Sequence, residues 1–283
     1  MKTLISAADL LEAVASTKPP VVLDCSFDLG APAAGEQAWR QGHLPGARYV
    51  HLDDDLAGDK FDAAGRFRGR HPLPERDLLA RRLGTLGITP ARTVVCYDAQ
   101  GGPYASRAWW LLRWMGHADV AVLDGGVAAW RAAGGALVTD AQPPAPARPY
   151  PDQPPALPTI DAATLRAQLG RVALIDARAG ERFRGEVEPL DKAAGHIPGA
   201  RNRFFKDNLA PDGRFKSAAD LRAEWTPLLG GRDATQLVQQ CGSGVTACHN
   251  LLALAHAGLG DSVLYPGSWS EWSADPARPQ AKG

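Results

Sequence analysis

The chain has 283 residues, 45% of them hydrophobic, which is enough for two domains that each bury a core. Its 31 Lys and Arg residues equal its 31 Asp and Glu residues, so no overall basic field would attract nucleic acid or an anionic membrane. Asp9 and Glu12 interrupt the apolar N-terminal stretch, and no apolar run reaches membrane-spanning length. We therefore expect a cytoplasmic protein that binds neither nucleic acid nor membranes.

The first half of the sequence alternates helix-like and strand-like segments. Apolar periodicity predicts helices, and short β-branched runs predict strands. In chain order the segments are AADLLEAVAS (7–16, helix), VVLDCS (21–26, strand), GHLPGAR (42–48, turn), ERDLLARRLGTLG (75–87, helix), TVVCYD (93–98, strand) and GG-x-x-x-W (125–130). This alternation favours an α/β fold, a parallel sheet with helices on both faces.

The second half repeats the same blocks in the same order. They read ALIDAR (173–178), GHIPGAR (195–201), AADLRAEWTPLLG (218–230, helix), TQLVQQC (235–241, strand) and GS-x-x-x-W (267–272). Duplication of a domain is the simplest cause of such a repeat. We predict two tandem domains, 1–139 and 159–283, and an extended linker rich in Pro and Ala over 140–158.

The chemically distinctive segment is the loop that follows the strand-like run 235–241. Its residues are Cys241, Gly242, Ser243, Gly244, Val245 and Thr246. Cys241 is expected at the carboxyl end of a strand, facing a helix that begins near Val245 or Thr246, where free N–H groups and the helix dipole favour a thiolate. The two glycines let successive N–H groups turn inward as a nest for an anion.

The first copy carries Asp98 where the second carries Cys241. Its loop reads Asp98-Ala99-Gln100-Gly101-Gly102-Pro103-Tyr104 and contains no nucleophilic thiol. We therefore interpret the first domain as an inactive, supporting copy and the second as the catalytic one.

These motifs resemble those of the tandem-domain rhodanese family of sulfurtransferases. The resemblance covers nearly the whole chain and rests on the paired GH[LI]PGA motifs, the G-x-x-x-x-W blocks and the CGSGVT loop. It implies that Cys241 carries sulfur as a persulfide. The uncharged CGSGVT loop resembles the 3-mercaptopyruvate branch of the family, whereas the thiosulfate branch commonly carries basic residues there.

The resemblance also indicates which residues bind the substrate. Arg182 matches the family's substrate-carboxylate Arg, and a planar guanidinium suits a carboxylate. Ser243 is a candidate hydrogen-bond donor to the substrate or the persulfide. The mercaptopyruvate branch tends to have a second Arg where this chain has Leu190. We expect Arg178 and Arg184 to be solvated surface residues.

Two further residues are candidates for supporting roles. His43 and His196 occupy equivalent places in the two copies, which favours a role in the fold, although the resemblance leaves His43 as a candidate proton relay. Arg107 is a candidate for a residue of the cleft between the two domains, or for a salt bridge between them.

The other three cysteines are expected to have simpler roles. Cys25 and Cys96 lie in strand-like runs and are expected to be buried as small hydrophobes. Cys248 is expected beneath the active loop, two helical turns from Cys241, and a regulatory disulfide between the two is a minor alternative.

We predict covalent catalysis without a metal or organic cofactor. Cys241 would take sulfur from 3-mercaptopyruvate and pass it to cyanide, a small thiol or thioredoxin. The alternatives are a thiosulfate sulfurtransferase and a non-enzymatic persulfide carrier for a partner protein. A cysteine phosphatase or arsenate reductase is disfavoured, because the C-x5-R motif of those phosphatases would need Arg at position 247, where the sequence has Ala247.

Overall fold

The computed structural model describes residues 3–141 and 145–283, and they form two compact units. Unit 1 comprises Met1–Ala57, Pro74–Ala156 and Pro211–Phe215, and unit 2 comprises Gly58–Leu73, Leu157–Ala210 and Lys216–Gly283. Each unit thus includes a segment from the other half of the sequence, which the repeat alone did not indicate. The domain bounds and the linker remain a prediction, and residues 142–144 of that linker lie outside the described residues.

Unit 1 is built on a parallel sheet. Its strands are β1 (Leu4–Ile5), β2 (Val21–Asp24), β3 (Arg48–Tyr49), β4 (Val94–Tyr97) and β5 (Val120–Leu123). Its helices are α1 (Ala7–Val14), α2 (Ala34–Gln41), α3 (Leu52–Asp55), α4 (Arg76–Thr85), α5 (Pro103–Trp114) and α6 (Gly126–Ala132). The strand order is β1-β5-β4-β2-β3, with Val21 paired to Val94 and Val94 to Val120. The three central strands are buried throughout, and their residues are apolar except for Asp24 at the end of β2.

Unit 2 repeats this arrangement. Its strands are β6 (Ala173–Asp176), β7 (Arg201–Asn202), β8 (Leu237–Gln240) and β9 (Val263–Leu264). Its helices are α7 (Ala162–Ala167), α8 (Gly180–Arg184), α9 (Ala218–Leu229), α10 (Ala247–His256) and α11 (Ser268–Ala274), with 3-10 turns at Phe205–Asn208 and Ala234–Gln236. The strand order is β7-β6-β8-β9, and an isolated parallel bridge from Thr159 to Leu264 takes the place of β1. The predicted parallel sheet is therefore confirmed in both halves.

A large aromatic residue from each repeated G-x-x-x-x-W block lies in the core of its unit. Trp130 packs in unit 1 with Leu10 and Leu123, and Trp272 packs in unit 2 with Leu165 and Tyr265. Side chains of this size bury about 150–250 Å² each, so they dominate the energetics of a small core. The repeated Trp is therefore explained by packing.

Candidate functional site

The predicted loop lies between β8 and α10. Cys241 directly follows the last residue of β8, as predicted, at the carboxyl end of a strand paired with β6. The helix begins at Ala247, one residue later than the predicted limit. The N–H of Cys248 donates to the carbonyl of Val245, three residues back, so the chain makes a tighter turn before the α-helix starts.

Backbone N–H groups of the loop surround the sulfur of Cys241. The N–H of Ser243 lies 3.4 Å from Cys241 Sγ and that of Gly244 lies 3.1 Å from it. Gly244 has φ +78°, a conformation that favours glycine, and the carbonyl oxygen of Pro266 leaves no room there for a Cβ. Cys241 is only 2% exposed, so these two N–H donors face a sulfur that is almost completely removed from solvent.

The start of α11 holds this loop in place. The Cys241 N–H donates to Ser268 Oγ at 3.1 Å, and the Trp269 N–H donates to the Cys241 carbonyl at 2.9 Å. The N–H of Ser270 donates to the carbonyl of Gly242 at 2.9 Å. The GS-x-x-x-W block therefore does more than supply a core Trp, because its first turn fixes the backbone around Cys241.

The corresponding loop of unit 1 already holds an anionic group. The carboxylate of Asp98 accepts hydrogen bonds from the N–H groups of Gln100, Gly102, Tyr104 and Ala105, at 2.8–3.0 Å. Burial raises the pKa of Asp98, and the four N–H groups act in the opposite direction. A loop at this place in the fold can therefore direct several donors at one negative group.

Arg182, predicted from the sequence, lies beside the loop. Its two terminal guanidinium nitrogens lie 3.5 and 3.7 Å from the position that a Cβ on Gly242 would occupy. Arg182 belongs to α8, and its Nη2 donates to Glu188 Oε1 at 2.7 Å and to Asp191 Oδ2 at 3.2 Å. The guanidinium is thereby anchored next to the residue that follows Cys241.

Two residues of the site were missed by the sequence reasoning, Arg70 and His71. Both lie in the Gly58–Leu73 segment of unit 2. The Arg70 guanidinium lies 2.7 Å from the same hypothetical Cβ on Gly242 and is paired with Asp191. His71 is buried, and its Nδ1 lies 2.8 Å from Ser243 Oγ. The loop is therefore flanked by two guanidinium groups and one imidazole.

A repeated sequence motif could have indicated that the segment containing Arg70 and His71 belongs to the site. Gly-Arg-Phe occurs at 65–67 and again at 213–215, and each copy lies in a segment that packs with the other half of the sequence. The motif adds a further block to the repeat. Arg70 and His71 lie three and four residues after the end of its first copy, so the repeated motif could have identified them as candidates.

The expectation that Arg178 is a solvated surface residue is wrong. Its side chain is buried, where it donates to Asp176 Oδ2 and to the Gly195 carbonyl, both at 2.7 Å, and to Glu188 Oε2 at 3.3 Å. Arg178 also lies over the Trp269 ring. Through Glu188 it connects to Arg182, so a buried ion-pair chain supports the guanidinium at the loop. Arg184, in contrast, is half exposed and pairs with Glu186, as expected.

The two equivalent histidines make equivalent contacts. His43 stacks on Trp39 and its Nδ1 lies 2.7 Å from the Trp39 carbonyl, whereas His196 stacks on Phe183 and bonds its carbonyl at 2.8 Å. These contacts fit a role in the fold. His43 lies in unit 1, and its role as a proton relay remains a prediction.

Arg107 is also a buried residue of unit 1. Its Nε donates to the carbonyl of Leu56 at 3.2 Å. Leu190, in the position where a second Arg was expected, is 47% exposed. The second guanidinium near the loop comes instead from Arg70.

All four cysteines are buried free thiols. Cys25 and Cys96 are completely inaccessible, as predicted, and burial raises the pKa of Cys25. The Sγ of Cys248 donates to the carbonyl of Gly244 at 3.4 Å, so it lies against the active loop. Within residues 3–141 and 145–283, no group of three or more His, Cys, Asp or Glu side chains could hold a metal ion. No described helix is long and apolar enough to cross a membrane.

The family of the chain follows from comparison with known proteins. The Rhodanese-like domain matches it twice, over residues 6–133 and 161–275. The chain therefore belongs to the rhodanese family. Within that family it is a sulfurtransferase with two tandem domains, and the predicted α/β fold class is confirmed.

Similar proteins cover nearly the whole chain. The probable 3-mercaptopyruvate sulfurtransferase of Pseudomonas aeruginosa is 49% identical over 98% of this chain and 97% of the relative. The 3-mercaptopyruvate sulfurtransferase of Homo sapiens is 37% identical over 96% and 92%. The putative thiosulfate sulfurtransferase SseB of Mycobacterium tuberculosis is 42% identical over 100% and 98%. The structure of 3-mercaptopyruvate sulfurtransferase from Leishmania major superposes with a TM-score of 0.81, at 29% identity over 96% of this chain and 74% of that one.

Proposed function

We propose that this protein transfers sulfur from 3-mercaptopyruvate to a thiol or cyanide through a persulfide on Cys241. The observation that carries the proposal is the cluster around the loop. Two backbone N–H groups point at Cys241 Sγ, and the guanidinium groups of Arg182 and Arg70 flank the adjacent Gly242. A thiolate nucleophile and a carboxylate-binding fork are therefore neighbours.

Each polar group of the donor has a suitable partner in this cluster. The guanidinium groups of Arg182 and Arg70 are suited to the carboxylate, since planar forks bind carboxylates with two parallel hydrogen bonds. The hydroxyl of Ser243, bonded to His71, is suited to the ketone oxygen. A hydroxyl so placed would stabilise the negative charge that the ketone gains during reaction.

The first half-reaction forms the persulfide. The Cys241 thiolate attacks the thiol sulfur of 3-mercaptopyruvate, a sulfur–sulfur bond forms, and the carbon–sulfur bond breaks. Its electron pair passes into the ketone as the enolate of pyruvate, which then takes up a proton. The pair Ser243 and His71 can deliver that proton, because imidazole exchanges protons near neutral pH. The N–H groups of Ser243 and Gly244 would stabilise the persulfide anion.

The second half-reaction returns the enzyme to its starting state. Cyanide, a small thiol or thioredoxin attacks the outer sulfur, and the electron pair of the broken sulfur–sulfur bond returns to Cys241 as a thiolate. Buried thiols kept free are typical of a reducing compartment, so we further propose that the protein acts in the cytoplasm.

A second donor is supported by the names of other relatives. The relative from Mycobacterium tuberculosis, 42% identical, is named a putative thiosulfate sulfurtransferase. Thiosulfate would bind the same guanidinium groups and leave as sulfite. A non-enzymatic persulfide carrier remains the third alternative, and it would transfer one sulfur per protein instead of turning over.

The proposal is tested by steady-state kinetics with both donors and cyanide. We expect kcat/KM for 3-mercaptopyruvate to exceed that for thiosulfate, and Cys241→Ser to abolish turnover with both while the protein stays folded. A preference for thiosulfate would contradict the donor. Appreciable turnover by the Cys241→Ser variant would contradict the persulfide, and a single stoichiometric transfer by the wild-type protein would indicate a carrier.

A further inference from the structure

Asp191 lies between the two guanidinium groups of the site. One carboxylate oxygen contacts Arg70 Nη1, and the other lies 3.2 Å from Arg182 Nη2. Asp191 is almost completely buried, with a side chain only 3% exposed, whereas the guanidinium side chains are 21% and 18% exposed. The carboxylate is therefore positioned behind the groups that face an incoming anion.

The charges around the loop are balanced. Arg70 and Arg182 are opposed by Asp191 and by Glu188, whose Oε1 lies 2.7 Å from Arg182. The next pair inward, Arg178 with Asp176, is also neutral as a pair. A donor thus encounters hydrogen-bonding guanidinium groups in a region with almost no net positive charge.

We infer that Asp191 is a specificity-determining residue that favours a donor of one negative charge over a dianion. The inference rests on the proposed function, because it concerns the donor of the same reaction. A carboxylate such as that of 3-mercaptopyruvate accepts hydrogen bonds from the two guanidinium groups, and the nearly neutral surroundings neither attract nor repel its single charge strongly. Thiosulfate carries two charges, so it is repelled twice as strongly by Asp191 and has no surplus cation to compensate.

The size of the effect follows from Coulomb's law. For an assumed separation on the order of 7 Å and an effective dielectric constant between about 20, near a protein surface, and about 80, in water, removing the charge of Asp191 favours a dianion over a monoanion by roughly five- to tenfold. The same substitution alters neither Cys241 nor any other residue of the loop 241–246. The ratio of the two donors is therefore the informative quantity, since a general loss of order lowers both activities together.

The test compares kcat/KM for thiosulfate and for 3-mercaptopyruvate in Asp191→Asn and in the wild-type enzyme. We expect the ratio of thiosulfate to 3-mercaptopyruvate to rise five- to tenfold in Asp191→Asn and to return to the wild-type value in Asp191→Glu. Glu186→Gln is the matched control, because it removes an exposed carboxylate from the same segment and should leave the ratio unchanged. A ratio within twofold of the wild-type value in Asp191→Asn overturns the inference. If that variant does not fold, Asp191→Ser removes the same charge.

A second readout does not depend on turnover. Sulfate, a dianion, and pyruvate, a monoanion, are each tested for protection of Cys241 against alkylation by iodoacetamide. The measured quantity is the ratio of the half-protecting concentration of sulfate to that of pyruvate. This ratio should be five- to tenfold lower in Asp191→Asn than in the wild-type protein, and an unchanged ratio overturns the inference. If the wild-type protein turns over neither donor, the proposed function fails, while this measurement still decides the role of Asp191.

Discussion

Replacing Gly242 with Ala should weaken binding of the sulfur donor while leaving the reactivity of the Cys241 thiol unchanged. A Cβ at this position would lie 2.7 Å from the Arg70 Nη2 and 3.5 Å from the nearest terminal nitrogen of Arg182. The Arg70 guanidinium would have to withdraw by roughly 0.8 Å to reach ordinary van der Waals contact. Because it is the end of a flexible side chain, the fold can accommodate Gly242→Ala.

The cost should therefore be in catalysis. A hydrogen bond to a charged group contributes about 1.5–3 kcal/mol, so loss of one guanidinium–carboxylate contact should lower kcat/KM for 3-mercaptopyruvate by about 10- to 100-fold. The free energy of unfolding should change by less than about 1 kcal/mol, as for other unstrained Gly-to-Ala changes. The rate of Cys241 alkylation without donor should stay near the wild-type rate.

The assay is cyanide-dependent turnover at several donor concentrations, together with urea denaturation and alkylation by iodoacetamide. Gly180→Ala is the control, since its Cβ would lie 2.8 Å from a terminal nitrogen of Arg184, an equally flexible guanidinium away from the loop. We expect this control to retain wild-type kcat/KM. Wild-type kcat/KM in Gly242→Ala would refute the reasoning that Arg70 and Arg182 form the donor site.

Further predictions concern the imidazole, the inactive loop and a buried histidine. The variants Ser243→Ala and His71→Asn and the double variant should differ in kcat/KM by non-additive amounts, with a coupling free energy of about 0.5–3 kcal/mol between the two residues. Purely additive effects would contradict the proposal that Ser243 and His71 act as one unit. Asp98→Ala leaves four N–H groups without their acceptor, so it should lower the free energy of unfolding, measured by urea denaturation, by roughly 3 kcal/mol. A decrease of less than about 1 kcal/mol would contradict the stabilising role of these four hydrogen bonds. Burial lowers the pKa of His117, so as the pH falls this imidazole is protonated in the unfolded chain before it is protonated in the folded protein. The free energy of unfolding of the wild-type protein should therefore decline as the pH falls through about 6.5, and it should decline less steeply in His117→Gln. Equal pH dependence in the two proteins would refute the role given to His117.

Much of the fold could be predicted because its signals are local. The buried strands begin with runs of apolar residues, and β2, β4, β6 and β8 all fall within the predicted segments. The start of α10 was displaced by one residue, because the chain turns more tightly after Val245. The repeated blocks correctly indicated two copies of one α/β unit.

The sequence by itself determined the nucleophile candidate, its loop and its inactive counterpart. Cys241, Gly242 and Gly244 lie within four consecutive residues, and the glycines allow the backbone conformations that place N–H groups around a sulfur. The repeat then identified Asp98 as the equivalent of Cys241, and the four N–H groups around its carboxylate show what such a loop can bind.

Only the tertiary structure decided what surrounds that loop. Arg70 and His71 are separated from Ser243 by more than half the chain, and they reach it because Gly58–Leu73 packs within unit 2. The position of Arg178 over the Trp269 ring and the contact of Asp191 with Arg70 likewise join segments that are distant in the sequence. The charge of the site is a sum over groups brought together by folding, so no single stretch of sequence contains it.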